Sequence, residues 1–235
     1  VLKLIVDDGG ADTINVSNVT TGAKIDLTPG ANSSFGMLPT KVLAKDNLSI
    51  AFDAKIENVI GTAFNDSVVL NNEPNQIDGG AGVDTVKLAG SRLQVQMSKS
   101  VDANGKTVLS IADQVLKTNV DKLTGVETIQ FNDMIVDTTA AEIARTLPAA
   151  TVQKIVELYI AYFNRVPDGG GMAYWMTQYK NGATIEKIGE SFYFIAVSSM
   201  FSALTGYSSS MTNETFVRTI YKNVLGRNEV DQEGL

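Results

Sequence analysis

The 235-residue sequence contains neither cysteine nor histidine. Without cysteine there are no disulfide staples and no thiol chemistry. Without histidine there is no Ser-His-Asp triad, no imidazole acid–base catalysis and no histidine-ligated zinc. Positive charge is also scarce: 19 Lys and Arg face 26 Asp and Glu, a net charge of −7. That balance argues against nucleic acid or an anionic membrane as partner. No uninterrupted apolar run reaches the roughly 18 residues of a membrane span, and the N-terminus lacks the basic, apolar, small-residue order of a signal peptide. The glycine-rich loops lack the lysine of a phosphate-binding loop. What the chain does carry is hard oxygen, as aspartates and glycines set in recurring turns.

The most informative stretch is Ile60–Leu88. Gly79-Gly80-Ala81-Gly82-Val83-Asp84-Thr85-Val86 fits G-G-x-G-x-D-x-U-x, the nonapeptide unit of a calcium-binding parallel β-roll. Asp66, 18 residues before Asp84, ends a weaker copy in which Thr62 and Phe64 replace glycines. Two nonapeptides make one coil, so this offset stacks the two turns on the same side. Glycine lets successive carbonyls turn inward, and the aspartates add carboxylates for an ion that takes six to eight oxygens at about 2.3–2.6 Å. The expected ligands are Gly61, Ala63 and Asp66 from one turn and Gly79, Gly80, Ala81, Gly82 and Asp84 from the next. Val68 and Val86 begin short strands that fill the roll. Asn75 stands where the intervening unit would place its aspartate, and the unit beyond Lys87 has no acid. The expectation is a short roll of roughly two turns, with one good calcium site and a weaker one. Upstream, Asp7-Asp8-Gly9-Gly10-Ala11-Asp12 shortens the same theme. Gly10 and Asp12 there either hold an isolated calcium ion or belong to an ordinary acidic turn. Glu57, Glu127 and Glu142 are scattered, with no visible partner for acid–base work.

Up to residue 137 the apolar pattern has period two, in short runs such as Thr13–Ser17, Lys24–Leu27 and Ile56–Ile60. Residues 23–36, 48–72, 78–86 and 123–133, with Ile56-Glu57-Asn58-Val59-Ile60-Gly61 at their centre, together resemble the C-terminal calcium-binding domain of serralysin-type secreted metalloproteases. The resemblance implies a short parallel β-roll packed into a β-sandwich over residues 1–137. It also implies export by a type I secretion system, with calcium driving folding outside the cell or at a bacterial surface. The H-E-x-x-H zinc motif is missing, so proteolysis does not carry over. The same module occurs in adhesins and surface-layer proteins.

From residue 138 to 235 the period changes to 3.6 and an all-α helical domain is expected. Thr139 and Glu142 have capping-box spacing, and Pro148 marks a break. Ile155, Tyr159, Tyr162 and Val166 share one helix face. Asp168 is placed to cap a helix starting near Gly170, with Arg165 holding the loop. Trp175, Tyr174, Tyr159 and Phe192 read as core. Thr184–Leu204 reads as one long helix and Thr212–Leu225 as an amphipathic one. Asn164–Met172 is echoed by Gly226–Leu235, about 63 residues on from Asp168 to Asp231. This half is similar to a helical repeat of bacterial secreted and surface proteins related in appearance to phycobilisome linkers. The expected function is therefore a non-catalytic calcium-binding module of a secreted or surface protein. The helical half would contact protein partners or self-assemble. The alternative is the C-terminal part of a serralysin-like zinc metalloprotease whose catalytic domain lies upstream. A glycan-binding role for the helical aromatics would need exposed rings.

Overall fold

The computed structural model describes residues 3–113 and 119–226. The chain divides into two compact units, Val1–Thr138 and Thr139–Leu235, β-rich and then α-helical. The first unit begins with β1 (Lys3–Ile5), β2 (Thr13–Asn15), β3 (Lys24–Asp26), β4 (Asn32–Ser33) and β5 (Leu48–Ile50). Next, at close intervals, come β6 (Asn58–Ile60), β7 (Ser67–Val69), β8 (Gln76–Asp78) and β9 (Thr85–Lys87). The hairpin β10 (Val95–Val101) and β11 (Thr107–Asp113) follows, and then β12 (Val120–Thr124), β13 (Thr128–Gln130) and β14 (Ile135–Asp137).

Strands β2, β6, β8 and β12 pair in parallel within one sheet. Strands β3, β7, β9 and β13 do the same in a second. The chain therefore alternates between two sheets and completes four coils, where two were expected. The outer coils escape a search for a fixed period because insertions separate them from the middle pair. Equivalent positions lie 18 residues apart in the middle but 43 to 46 apart on either side.

Each of these strands has one central apolar side chain pointing inward. Ile14, Val59, Ile77 and Leu123 form one column in register, at 7, 1, 2 and 2% exposure. Ile25, Val68, Val86 and Ile129 form the other, at 2, 3, 1 and 0%. Burying each such side chain contributes about 1.5–3 kcal/mol. The three-stranded sheet of β1, β5 and β4 adds Leu48 and Ile50 to the same core.

One edge of the coils is held by amides. Asn75 is 0% exposed, and its Nδ2 donates to the Ile56 and Glu57 carbonyls and to Asn71 Oδ1. Asn71 Nδ2 donates to the Ile56 carbonyl at 2.8 Å. Asp121 Oδ1 accepts from the Asn75 N–H at 2.9 Å.

The second unit contains α1 (Ala140–Arg145), α2 (Ala149–Phe163), α3 (Gly169–Lys180), α4 (Ile185–Ala196), α5 (Ser202–Thr205) and α6 (Asn213–Leu225). Its core is Ile155, Tyr159, Met176, Ile188 and Phe192. Tyr159 meets Phe192 edge-on at 4.9 Å, and Trp175 lies 4.8 Å from the same ring. No described helix is long and apolar enough to cross a membrane.

Four readings of this half are corrected. Val166 does not share the face of Ile155, Tyr159 and Tyr162, because α2 ends at Phe163, Asn164 turns the chain with left-handed backbone (φ 49°), and Val166 is 74% exposed. Thr139 makes no capping bond, because its backbone is already helical (φ −86°, ψ −30°). The stretch 184–204 breaks after Ala196, where Ser198 Oγ turns back to the Ile195 carbonyl at 2.7 Å and competes with the helix ladder. Tyr174 is not core but 55% exposed. The capping role of Asp168 is found: its Oδ1 accepts from Gly171 N at 2.7 Å, and Arg165 Nη2 lies 3.3 Å from Oδ2. The echo over 226–235 falls, past Gly226, outside the described residues.

Burial pushes the Asp121 carboxyl up to about 6, against a bond from Asn75 N–H that favours its charged form. A carboxyl raised in the fold contributes stability below its unfolded pKa, and that contribution is lost as pH rises through about 6. Asp121→Asn keeps an acceptor for the Asn75 N–H. It is expected to stabilise the fold by about 2 kcal/mol at pH 8 and to change little at pH 4. Urea unfolding of both proteins across that range checks this, and equal stabilities at pH 8 would contradict it.

Candidate metal centre

The residue immediately ahead of a parallel strand recurs as an oxygen-bearing side chain. In the first sheet these residues are Asp12, Glu57 and Asn75, with Asp121 level with Asn75. In the second they are Asp66, Asp84 and Glu127, with Ala23 at the same place ahead of the first strand. Each acid after the first coil reaches back one coil to the backbone N–H of its counterpart. Glu127 Oε2 accepts from Asp84 N at 2.7 Å, Asp84 Oδ1 from Asp66 N at 2.7 Å, and Asp66 Oδ1 from Ala23 N at 2.6 Å. On the opposite edge Glu57 Oε2 accepts from Asp12 N at 2.8 Å. These charge-assisted bonds satisfy donors just outside the sheet ladder.

Asp66 and Asp84 are both 3% exposed and one coil apart, but their carboxylates are used differently. Asp66 is saturated: Oδ2 accepts from Thr62 N at 2.6 Å, and Oδ1 takes Thr62 Oγ1 at 2.9 Å as well as Ala23 N. The threonine in a glycine position thus supplies the donors. Asp84 Oδ2 is enclosed and has no partner. Burial first, against the bond from Asp66 N–H and with the charges of Asp66, Glu127 and Asp78, raises the Asp84 pKa to about 7.

Around this oxygen the backbone is packed too tightly for side chains. Gly79 and Gly61 are buried, and a Cβ on Gly79 would strike the Gly125 carbonyl and crowd Asp84 Oδ2. Gly80 has φ +93°, and a Cβ there would strike the Thr62 carbonyl. Ala81 N donates to that same carbonyl at 3.3 Å. Ala63, Ala81 and Gly82 lie on the exposed rim of the two turns. Among the described residues no three acidic side chains converge as a metal-binding group. A cation here would take most of its oxygens from backbone carbonyls and would meet Asp84 as the free carboxylate.

Gly10 and Asp12 lie at the opposite edge, away from Asp66 and Asp84. Asp12 Oδ2 is also enclosed without a partner. The Asp12 pKa is raised, first by the proton it can share with Asp7, then by burial and by the charges of Asp7, Glu57 and Asp8. Asp7 is lowered instead, by the Gly9 and Lys55 N–H groups at 2.8 and 3.1 Å. Two carboxyls pressed together and one enclosed oxygen fit a second hard cation.

Three residues of these clusters were missed or dismissed in the sequence: Asp7, Glu57 and Glu127. The signal that finds the last two is an oxygen-bearing residue one place before a short x-apolar-x strand. It runs through Asp12-Thr13-Ile14, Glu57-Asn58-Val59, Asp66-Ser67-Val68, Asn75-Gln76-Ile77, Asp84-Thr85-Val86, Asp121-Lys122-Leu123 and Glu127-Thr128-Ile129.

The sequence model of the family described as peptidase M10 serralysin C terminal matches residues 1–168. No curated protein matches the chain.

Asp84→Asn removes a carboxylate from among three other acids and keeps the acceptor for Asp66 N–H. With chelator at pH 8, above the raised pKa of Asp84, the variant is expected to unfold at higher temperature than the parent. Its gain on adding calcium is expected to shrink. Scanning calorimetry in the two buffers decides, and a variant weaker in chelator with an undiminished calcium response would contradict this geometry.

Proposed function

Because the chain belongs to the peptidase M10 serralysin C-terminal family, we propose that it is a calcium-folded, non-catalytic module of a bacterial protein secreted by a type I system. Residues 1–137 are the calcium-binding β-roll in its β-sandwich, and residues 138–235 are an interaction domain. The observation that carries this reading is the enclosed Asp84 Oδ2, set among Asp66, Asp78 and Glu127 above glycine turns with no room for a side chain. Gly61, Ala63, Asp66, Gly79, Gly80, Ala81, Gly82 and Asp84 would hold one ion, and Gly10 and Asp12, joined by Asp7 and Glu57, a second.

Calcium supplies the positive charge that lets these carboxylates stack. At low calcium inside a cell the acids repel and the coils stay loose. Outside, ligation draws the turns together. An ion at a thousand times its dissociation constant adds about 4 kcal/mol to the bound fold, a large share of the 5–15 kcal/mol that a domain has in total. The absence of histidine and cysteine supports a chain without catalysis of its own. Surface-layer and adhesive proteins are the settings that suit such a module.

The family match itself favours a second reading, that the module belongs to a secreted metalloprotease whose zinc-binding domain lies upstream. The coding region before Val1 separates the two, since H-E-x-x-H is present only in the second.

Hydrogen exchange with and without calcium tests the shared premise. Chelation is expected to strip protection from residues 60–90 and to leave α2 to α4 largely protected. Unchanged exchange in the turns would overturn the calcium reading.

A further inference from the structure

An open groove of about 660 Å3 runs along the helical unit between α2, α4 and α6, lined by Leu158, Tyr162, Ile185, Tyr193, Phe194 and Phe216. Phe194 is 68% exposed. Helix α4 turns Ile188, Phe192 and Ala196 into the core and presents Glu186, Gly189, Glu190 and Tyr193 to the groove. Gly189 stands inside α4, where glycine weakens a helix relative to alanine. The fold does not require it: a Cβ there would meet only Leu158 Cδ2, at an ordinary contact distance of 3.6 Å. A missing side chain in an apolar groove does serve one purpose. It lets another helix approach to the near end of the usual 8–10 Å spacing.

The charge of the groove sets the kind of helix. Among the described residues, the charged side chains lining it are Glu186 and Glu190. Lys187 lies 3.5 Å from Glu190, but both are largely exposed, so the pair leaves the acid open to a better partner. We infer that this groove binds an amphipathic helix of a partner protein, with its apolar ridge over Gly189 and lysine or arginine flanking that ridge beside Glu186 and Glu190. This deepens the reading of the helical unit as an interaction domain. It is independent of the calcium sites, so chelation of the roll and loss of helix binding can fail separately.

The test uses the full chain in calcium buffer with two labelled four-turn leucine-ridged peptides, one flanked by lysines and one by glutamates, followed by fluorescence anisotropy. The lysine peptide is expected to bind at least about tenfold more tightly than the glutamate peptide. Gly189→Leu should abolish binding while circular dichroism stays unchanged. The charge-reversed Glu186→Lys/Glu190→Lys pair should invert the preference, which guards against a leucine that merely disturbs α4. Gly189→Ala should raise the melting temperature and weaken binding. Absence of binding, equal binding of both peptides, or binding indifferent to Gly189→Leu would each overturn the inference. So would self-association of the chain lost in Gly189→Leu without peptide binding, which would assign the groove to a second copy.

Discussion

Each coil of the first unit is tied to the one before it by a carboxylate accepting a backbone N–H. The bond from Asp66 N to Asp84 is repeated from Asp84 N to Glu127 and from Ala23 N to Asp66. It fixes register where three-residue strands have little else to fix it, since a slip of one residue would turn each inward valine or isoleucine to solvent. A hydrogen bond to a charged group contributes about 1.5–3 kcal/mol. Neighbouring coils lie about 4.8 Å apart, and like charges at that distance repel by about 3 kcal/mol at an effective dielectric near 20. The two effects are of the same size. A column of acids is thus poised between holding and bursting, a balance that added positive charge would tip toward holding.

This balance explains why neighbouring turns are built differently. At Asp66 the threonine hydroxyl and amide of Thr62 supply donors, and the carboxylate is satisfied within the protein. At Asn75 an amide replaces the acid and bonds along the edge with no charge at all. At Asp84 neither remedy is present: one oxygen is left enclosed and the pKa rises toward 7. The substitutions that look like decay of the repeat do two different things. Thr62 satisfies the Asp66 carboxylate with hydrogen bonds, and Asn75 takes a charge out of the column on the opposite edge. At Asp84, as at Asp12, one carboxylate oxygen stays enclosed with no donor, and there a cation would fit.

The β-then-α order and the stacking of Asp66 on Asp84 were legible in the sequence, because an 18-residue echo and a change of apolar period survive without any knowledge of contacts. The outer coils were not, since their insertions destroy the period. Glu57 and Glu127 looked scattered for the same reason: their partners lie 45 and 43 residues away. Short-range signals such as the Asp168 cap were readable, whereas Thr139 shows that the right spacing does not supply the right backbone. At the break after Ala196 the Ser198 hydroxyl turns back to the helix, which apolar periodicity does not register. Gly189 could be noticed in the sequence only as a defect. Its neighbours in space are what make it a groove.

The central claim is that the free oxygen of Asp84 faces a cation. Its most direct measurement is an anomalous difference map from crystals grown in calcium. The account predicts a peak about 2.3–2.6 Å from Asp84 Oδ2, ringed by carbonyl oxygens of the glycine turns. A map in which that oxygen meets only water, with no peak between the coils, would contradict it.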